Sequence, residues 1–373
     1  MPAYLDNAAT TAMRPAAVEA MLPYLRDRFG NPSGSHAVSR EAKKALEEAR
    51  EVVATCLGAD PSEIVFTGSG TEADNLAVFG AHAARPGVVI CSAVEHHAVL
   101  HPTHALGGLL APVLPDGTVD LDALRLLVGP EVTVVAVMLA NNEVGTIQPL
   151  AEVAALVRDR APGAVLVTDA VQAFPWVDVA RLAAGAHLVA VSAHKFGGPK
   201  GVGALVVRRG TTVRPLLHGG GQERDRRSGT YNVAGIVAMA AAMQATVRDR
   251  EATVARVGAL RDRLADGLLA AVDGAAETGD RALKVAGNCH LTFPGVESEA
   301  LLVLLDAAGV YAAAGSACAS GAVEPSHVLA AMGVPRERGL GALRLSLGPE
   351  TTDADVDLAL ATVPGAVARL REE

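Results

Sequence analysis

The chain has 373 residues, 50% of them hydrophobic and 20% charged, a balance typical of a folded globular protein that argues against disorder. Its 41 acidic and 32 basic residues give a formal net charge of −9, which argues against a nucleic-acid-binding protein, because phosphate contacts need a basic surface. No apolar run approaches the ~18–20 residues of a membrane span. The first residues lack a basic n-region and include Asp6, so we expect no secretory signal.

The four cysteines are Cys56, Cys91, Cys289 and Cys318. They lie far apart in the sequence and form no C-x-x-C pair. This pattern fits free thiols in a reducing compartment better than a disulfide framework, so we expect a cytoplasmic protein.

Short runs rich in valine and isoleucine alternate with amphipathic segments through the first two-thirds of the chain. The near-continuous apolarity of these runs predicts strands buried on both faces, at 64–67, 88–92, 132–139, 165–169, 188–192 and 202–207. An apolar stripe after Ser39 predicts a helix with Ser39 as its N-cap and Gly58 at its end. Segments 71–84 and 149–160 have the same helical pattern. This alternation predicts an α/β domain with a mostly parallel sheet.

The sequence changes character near residue 233. An alanine-rich helical stretch runs to about residue 272. Strands are predicted at 289–293 and 343–347, with helices near 297–308 and 353–370. This order indicates a second, smaller α+β domain.

Polar residues follow five of the predicted strands. Ligands bind beyond the carboxyl ends of parallel strands, so these groups predict a single site formed by 68–72, 95–97, 141–143, 169–172 and 192–195.

The glycine-rich turn 67–72 follows a strand and opens a helix, an arrangement in which backbone N–H groups can bind a phosphate. With Ala73 the turn also matches the dinucleotide pattern G-x-G-x-x-A, although Glu95 comes too late to be the expected acid. An ordinary tight turn is a third interpretation of this motif.

Lys195 lies between Ser192–His194 and a Gly-Pro turn at a strand end, which is an unusual place for a solvated lysine. A desolvated lysine has a lowered pKa and can form a Schiff base. Asp169 ends another apolar strand and needs a cationic partner if it is buried. The protonated ring nitrogen of pyridoxal phosphate is such a partner, and a cap on the following helix is the alternative role.

His96, His97, His101 and His104 invite a metal interpretation, because His97 and His101 stand four residues apart. We expect Pro102 to interrupt the helix that this spacing requires, and no further ligand set accompanies it. One histidine that stacks on a ring or relays protons is the preferred interpretation, and no metal is expected.

Three further features carry chemistry. Segment 218–230 joins a glycine run to Arg224, Arg226 and Arg227, and it predicts either a flexible anion-binding segment or a solvated loop. Cys318 lies among small residues, where a reactive thiol is favoured over a buried structural one. Arg344 interrupts an apolar strand and implies a carboxylate partner, in the chain or in a ligand.

Ten motifs in order make the chain resemble the cysteine desulfurases of the NifS/IscS-like kind, in the class V aminotransferase family: 6–10, 30–33 with His36, 71–75, 95–96, 141–145, 169–172, 192–195, 227–230, 315–318 and 344–348. The resemblance covers nearly the whole chain. It implies the α/β fold type I of pyridoxal-phosphate enzymes, with a mostly parallel sheet in a large domain and a smaller α+β domain. We expect the large domain at 15–255 and the small domain at 1–14 with 256–373.

The resemblance also implies roles for single residues. Lys195 would bind pyridoxal phosphate as a Schiff base, Asp169 would pair with its ring nitrogen, and Gln172 would contact its phenolic oxygen. His96 would stack on the ring and pass protons, and Cys318 would take the sulfur. The residues implied to bind the phosphate are Gly70, Thr71, Ser192, His194 and, from the neighbouring subunit, Thr230. Those implied to orient the substrate carboxylate beside the cofactor are Asn142 and Arg344.

Two positions depart from the family pattern. Gly70 replaces a common alanine and Ala193 a common glycine, and we expect neither change to affect the chemistry. The spacing from Cys318 to 324–326 resembles the branch of the family whose long loop supplies sulfur to several partners.

The implied reaction converts L-cysteine to L-alanine and a persulfide on Cys318, by attack of its thiolate on the substrate sulfur. The expected partners are a second copy in a homodimer and sulfur-acceptor proteins of iron–sulfur cluster assembly or tRNA thiolation, without direct contact to nucleic acid or membrane. The alternatives are a selenocysteine lyase, a class V aminotransferase, a nicotinamide-dependent oxidoreductase and a non-enzymatic sulfur carrier. Cys318 argues against a transaminase, which needs no such thiol.

Overall fold

The computed structural model describes residues 2–314 and 326–372. Its strands are β1 Ala3–Tyr4, β2 Ile64–Thr67, β3 Val88–Ser92, β4 Leu109–Ala111, β5 Val132–Ala136, β6 Val165–Asp169, β7 Leu188–Ser192, β8 Gly203–Val207, β9 Ala276–Glu277, β10 Asn288–Thr292, β11 Val310–Tyr311 and β12 Ala342–Ser346. Its α-helices are α1 Pro15–Arg26, α2 Ala37–Cys56, α3 Gly70–Ala84, α4 His97–Ala105, α5 Leu121–Leu127, α6 Leu150–Arg160, α7 Val179–Leu182, α8 Val233–Ala271, α9 Ser298–Ala307, α10 His327–Ala331, α11 Arg336–Gly339 and α12 Asp353–Glu372.

The main sheet has seven strands in the order β2-β8-β7-β6-β5-β3-β4. Only β8 runs in the opposite direction to the other six strands, so the predicted mostly parallel sheet is confirmed. Helices cover both faces, as the apolar runs of the strands require. Residues of α3 and α4 pack on one face, and residues of α2, α6 and α8 pack on the other.

Two predicted boundaries differ from the structure by three residues, and the others by no more than two. Regular pairing in β5 ends at Ala136, three residues before the predicted end. Helix α2 begins at Ala37, and its N-cap is His36 instead of Ser39, because Nδ1 of His36 accepts a hydrogen bond from the Ser39 N–H at 3.3 Å. Gly58 follows the end of this helix with φ of +59°, as a terminating glycine does.

The expectation that Pro102 interrupts a helix is wrong, since α4 continues to Ala105. A proline in a helix leaves the carbonyl four residues earlier without its usual donor. Here that carbonyl belongs to Ala98, and it accepts a hydrogen bond of 3.1 Å from Nδ2 of Asn75 on α3. The neighbouring helix thus supplies the bond that the proline cannot make.

A smaller antiparallel sheet has the order β12-β10-β9, and β1 pairs with β11 beside it. Helix α8 joins the two halves of the protein: Ile236 and Met239 lie in the core under the main sheet, while Leu260 and Leu264 lie in the core of the smaller sheet. The division into 15–255 and a remainder stays a prediction. None of the helices in the described residues is sufficiently long and apolar to cross a membrane.

Candidate active site

Lys195 ends the short helical turn that follows β7. Its Nζ atom donates hydrogen bonds to the carbonyl oxygens of Ala8 at 2.6 Å and Ala9 at 2.8 Å. Burial, and then the charge of Arg344, lower the pKa of this amine to about 8, although Asp169 and Asp6 act in the opposite direction. At neutral pH roughly a tenth of the molecules therefore carry a neutral, nucleophilic amine here.

Asp169 ends β6 and pairs in register with Ala190 of β7, which leads to Lys195. Its Oδ1 accepts a hydrogen bond of 2.8 Å from the Val171 N–H. Asp169 therefore caps a turn, and the alternative that it caps a helix is wrong. Burial raises the pKa of this carboxyl, while the positive charges of His96 and Lys195 lower it. The buried carboxylate is thus placed near cationic groups, as expected.

Two more buried carboxyls, Asp74 and Glu95, lie near Asp169. Burial raises the pKa of Glu95 to about 8 and that of Asp74 well above its usual range. Glu95 is held by hydrogen bonds to its Oε1 from Ser92 Oγ at 2.6 Å and from the Met138 N–H at 2.7 Å. The raised pKa values favour the neutral form of both carboxyls, which limits the negative charge beside Asp169. Sequence reasoning gave no role to Asp74.

His96 is the N-cap of α4, and its Nδ1 accepts a hydrogen bond of 3.1 Å from the Ala98 N–H. This bond leaves the proton of the neutral ring on Nε2. The ring of His96 keeps an exposed face. Partial burial lowers the pKa of this ring, while the charge of Asp169 acts to raise it. Such a ring can stack on a flat ligand and move a proton at Nε2.

The other histidines of α4 lie beside His96 but form no metal site. The rings of His97 and His101 stack at 4.8 Å, and His327 lies 5.0 Å from His97. The part of the chain that the structure describes contains no group of histidine, cysteine or acidic side chains placed to hold a metal ion.

The glycine-rich turn opens α3, with Ser69 as its N-cap. Glu72 fixes the turn from behind: its Oε2 accepts a hydrogen bond of 2.7 Å from the Gly68 N–H, and its Oε1 lies 2.6 Å from Nε of Arg227. Thr71 is exposed at the mouth of the turn and Ser192 is buried beside it. The N–H groups of a helix start and two hydroxyls form a donor set that fits a phosphate group.

Gly70 has a stronger role than the sequence suggested. A Cβ atom at this position would lie 3.0 Å from the Ser192 Cβ and 3.0 Å from Cγ2 of Val171. An alanine here would require the Ser192 or Val171 side chain to shift, and the expectation that Gly70 leaves the chemistry unaffected stays a prediction. The missing methyl lets the turn approach β7 closely, next to the place where a phosphate would bind.

Arg344 extends from β12 toward the main sheet. It donates a hydrogen bond of 2.8 Å to Asp6 Oδ1 and one of 3.0 Å to the Asn142 carbonyl oxygen. The implied carboxylate partner is thus supplied by the chain itself. Its Nε is buried and has no hydrogen-bond partner among the described atoms.

Segment 6–10 is one of the ten motifs of the sequence, but sequence reasoning gave it no role in the site. The segment contacts Lys195 and Arg344, and it also contacts two further residues of the site. Nε2 of Gln172 donates a hydrogen bond of 2.7 Å to the Ala8 carbonyl oxygen. Nδ1 of His194 lies 3.2 Å from Thr10 Oγ1. Burial and two nearby lysines lower the pKa of His194 to about 4, so this ring is neutral at pH 7. The signal in the sequence was the run of small residues between Asp6 and Thr10.

The remaining predicted residues lie further out. Thr230 is exposed at the end of segment 218–230. The segment is not merely solvated, because Glu223 within it is buried in an ion pair; its role in anion binding stays a prediction. Cys318 lies outside the described residues. A cavity of about 760 Å³, lined by Lys195, Gln172 and Asn288 among others, adjoins the site.

The chain matches the family described as aminotransferase class-V over residues 3–359. A protein of Mycobacterium tuberculosis named IscS-like cysteine desulfurase is 49% identical over 99% of this chain and 97% of its own length. A protein of Methanosarcina thermophila named cysteine desulfurase IscS is 44% identical over 99% of this chain and 92% of its own.

Solved structures agree with these sequences. A NifS-like protein superimposes with a TM-score of 0.93 at 36% identity, covering 99% of this chain and 100% of the other. A structure described as SspA in complex with cysteine superimposes with a TM-score of 0.81 at 28% identity, covering 94% of this chain and 100% of the other.

The fold is that of the type I pyridoxal-phosphate enzymes. The chain belongs to the class-V aminotransferase family, as the sequence motifs predicted. Pyridoxal phosphate is the cofactor of this family. Lys195, Asp169 and the phosphate-binding turn fit its three functional groups, and the nicotinamide alternative is set aside.

Proposed function

We propose that the chain is a cysteine desulfurase, which takes sulfur from L-cysteine, releases L-alanine and passes the sulfur on as a persulfide. The observation that carries the proposal is the placement of the Lys195 amine, with a pKa of about 8, in one site with Asp169 and His96. The relatives named cysteine desulfurase, 39–49% identical over nearly the full chain, support the same reaction.

The cofactor would be held by residues at or after the ends of four strands, β2, β5, β6 and β7. Asp169 would pair with the ring nitrogen, Gln172 would contact the phenolic oxygen, and Asn142 would lie beside the ring. The phosphate ligands would be Gly70, Thr71, Ser192, His194 and, from the second subunit, Thr230. When bound, pyridoxal phosphate withdraws electrons from the substrate Cα and so acidifies its proton.

Lys195 is suited to take that proton. With a pKa near 8, its amine is neutral in an appreciable fraction of molecules at neutral pH, and it becomes a stronger base than a carboxylate. The carbonyl oxygens of Ala8 and Ala9 orient the amine. His96, with Nδ1 occupied by the Ala98 N–H, would move a proton at Nε2.

Arg344 would receive the substrate carboxylate. Its Nε is free among the described atoms, while its terminal nitrogens are held by Asp6 and Asn142. These two hydrogen bonds already fix the guanidinium, so it would lose little further side-chain entropy on binding a carboxylate. Asn142, which contacts Arg344 through its carbonyl oxygen, would complete the carboxylate site.

Cys318 would accept the sulfur, a role that rests on its sequence context. Its thiolate attacks the substrate sulfur, an S–S bond forms, and the electron pair of the Cβ–S bond stays with the carbon skeleton that leaves as alanine. Two subunits form the enzyme in this proposal, because Thr230 is needed at the second site. The acceptors are proteins of iron–sulfur assembly or tRNA thiolation, and the compartment is the cytoplasm, where free thiols such as Cys91 persist.

The test is to incubate the purified protein with L-cysteine and to measure alanine and, with a reductant, sulfide. We expect equal amounts of both, and loss of both with Lys195→Ala. Lys44→Ala is the matched control, because that side chain is 75% exposed and lies on α2. Transfer of the amino group to a keto acid without release of sulfur would instead identify an aminotransferase. Turnover of selenocysteine alone would identify a selenocysteine lyase.

A further inference from the structure

Three consecutive residues between β8 and α8 adopt an unusual backbone. Glu223, Arg224 and Asp225 have φ values of +51°, +58° and +62°, the left-handed region that residues with a Cβ atom rarely occupy. A run of such residues persists only where the surrounding structure holds it, and such strain is typical of functional segments.

A buried ion pair holds this turn. The two terminal nitrogens of Arg50 each lie 2.9 Å from a carboxylate oxygen of Glu223, and both side chains are at most 2% exposed. Arg50 also donates to the Ile64 carbonyl oxygen at 2.9 Å, and its guanidinium stacks over the Phe66 ring at 4.7 Å. The pair therefore ties the turn to α2 and to the start of β2 with a fixed geometry.

Two hydrogen bonds connect the left-handed turn to the residues on either side of Thr230. The Glu223 N–H donates to the Tyr231 hydroxyl at 3.0 Å, and the Gly229 N–H donates to Oε1 of Gln222 at 2.9 Å. Thr230 lies between these two closures and is exposed. The position of Thr230 on the surface is thus set by the turn at Glu223.

A buried ion pair is weak evidence for stability, because the desolvation of both charges offsets their attraction. Its fixed geometry suits a role in orientation. We propose that Arg50 and Glu223 are positioning residues: they hold the left-handed turn so that Thr230 projects to complete the phosphate site of the second subunit. This inference rests on the proposed function, in which Thr230 acts across the dimer.

The test measures cofactor retention instead of turnover. Apoenzyme carrying Glu223→Gln is titrated with pyridoxal phosphate and followed by visible absorbance and ultrafiltration. We expect the Kd to rise at least tenfold while circular dichroism and dimer mass stay unchanged. Glu47→Gln is the matched control, because Glu47 also contacts Arg50, at 3.1 Å, but is 46% exposed; it should leave the Kd within twofold.

Hybrid dimers give the decisive readout. When Glu223→Gln and Lys195→Ala are in one subunit, the cofactor binds covalently only in the wild-type partner, whose phosphate site receives the altered segment. We expect weakened retention there. In the second hybrid, the Glu223→Gln subunit keeps Lys195 and its partner carries Lys195→Ala. Cofactor retention should then be normal, because the Arg227–Glu72 pair still holds the glycine-rich turn 67–72 of the Glu223→Gln subunit. Equal retention in both hybrids would overturn the inference.

Thr230→Ala in the same hybrids tests the premise, the contact of Thr230 with the second subunit, separately from the positioning role of Arg50 and Glu223. If Thr230→Ala weakens retention in trans and Glu223→Gln does not, the positioning role fails and the cross-subunit contact stands. If Thr230→Ala has no effect in trans, both fail. If Glu223→Gln does not fold, the double variant Arg50→Met with Glu223→Leu takes its place. Exchanging both charges for apolar groups avoids a lone buried charge. We expect the double variant to show the same loss of cofactor retention in trans.

Discussion

The carbonyl oxygen of Ala8 accepts a hydrogen bond of 2.6 Å from Nζ of Lys195, a residue 187 positions later in the chain. The same oxygen accepts a second hydrogen bond, of 2.7 Å, from Nε2 of Gln172. The N-terminal segment therefore forms one wall of the site. Because Asp6 from this segment also pairs with Arg344 of the smaller sheet, the segment connects the chemistry of both sheets.

The lowered pKa of Lys195 predicts how the apoenzyme takes up its cofactor. Only the neutral amine condenses with pyridoxal phosphate, so the rate of covalent loading should rise about tenfold per pH unit below pH 8 and level off above it. Stopped-flow absorbance between pH 6 and 10 measures this rate. Because the charge of Arg344 lowers this pKa, Arg344→Met should shift the midpoint upward. Free lysine in the same buffers is the control, and a rate that climbs to pH 10 like that of free lysine would contradict the prediction.

Replacement of Cys318 should separate cofactor chemistry from sulfur transfer. Cys318→Ser should retain the cofactor and still show an absorbance change on addition of L-cysteine, because a hydroxyl at this position leaves Lys195 and Asp169 intact. Alanine and persulfide should fall to near background, since a neutral hydroxyl is a far weaker nucleophile toward sulfur than a thiolate. Cys56→Ser is the control and should behave like the parent. Alanine release at the parent rate from Cys318→Ser would make Cys318 a bystander.

The close approach at Gly70 predicts opposite results for two glycine substitutions. Gly70→Ala places a methyl 3.0 Å from Ser192 and should weaken cofactor retention several-fold, by displacing a phosphate ligand. Gly365→Ala, on the exposed face of α12 where a Cβ meets no atom within 4 Å, should stabilise the fold by about 0.5–1 kcal/mol. Ultrafiltration and urea unfolding measure the two effects. Unchanged retention in Gly70→Ala would show that Ser192 can move without cost.

Asn75 donates a hydrogen bond to the Ala98 carbonyl oxygen in the helix that contains Pro102. This bond predicts that substitutions of Asn75 and Pro102 have non-additive effects on the free energy of unfolding. Asn75→Ala leaves the Ala98 carbonyl oxygen without a donor and should cost about 1–3 kcal/mol in the free energy of unfolding. In the Pro102→Ala background the new N–H can bond this carbonyl, so Asn75→Ala should cost less. A double-mutant cycle by urea unfolding measures the difference. Additive costs would mean that Asn75 acts through its other contact, the Thr71 carbonyl.

The sequence by itself determined the main sheet and the position of its site. Apolar runs of strand length located β2, β6 and β7 to the residue, because burial on both faces leaves a continuous apolar pattern. Since parallel strands present their carboxyl ends at one edge, the polar residues after those strands, among them Asp169 and Lys195, had to lie together. These features depend on local periodicity and one topological rule.

The tertiary structure alone decided which partners the polar groups have. Ala8 meets Lys195, Asn75 serves the Ala98 carbonyl, and Arg50 meets Glu223 across 173 positions of sequence. Each of these bonds forms because packing removes water from both partners and leaves few alternative partners within reach of each polar group. Local sequence encodes which segments become helix or strand, but it does not encode which distant atom faces a buried polar group, so these contacts follow only from the packed fold.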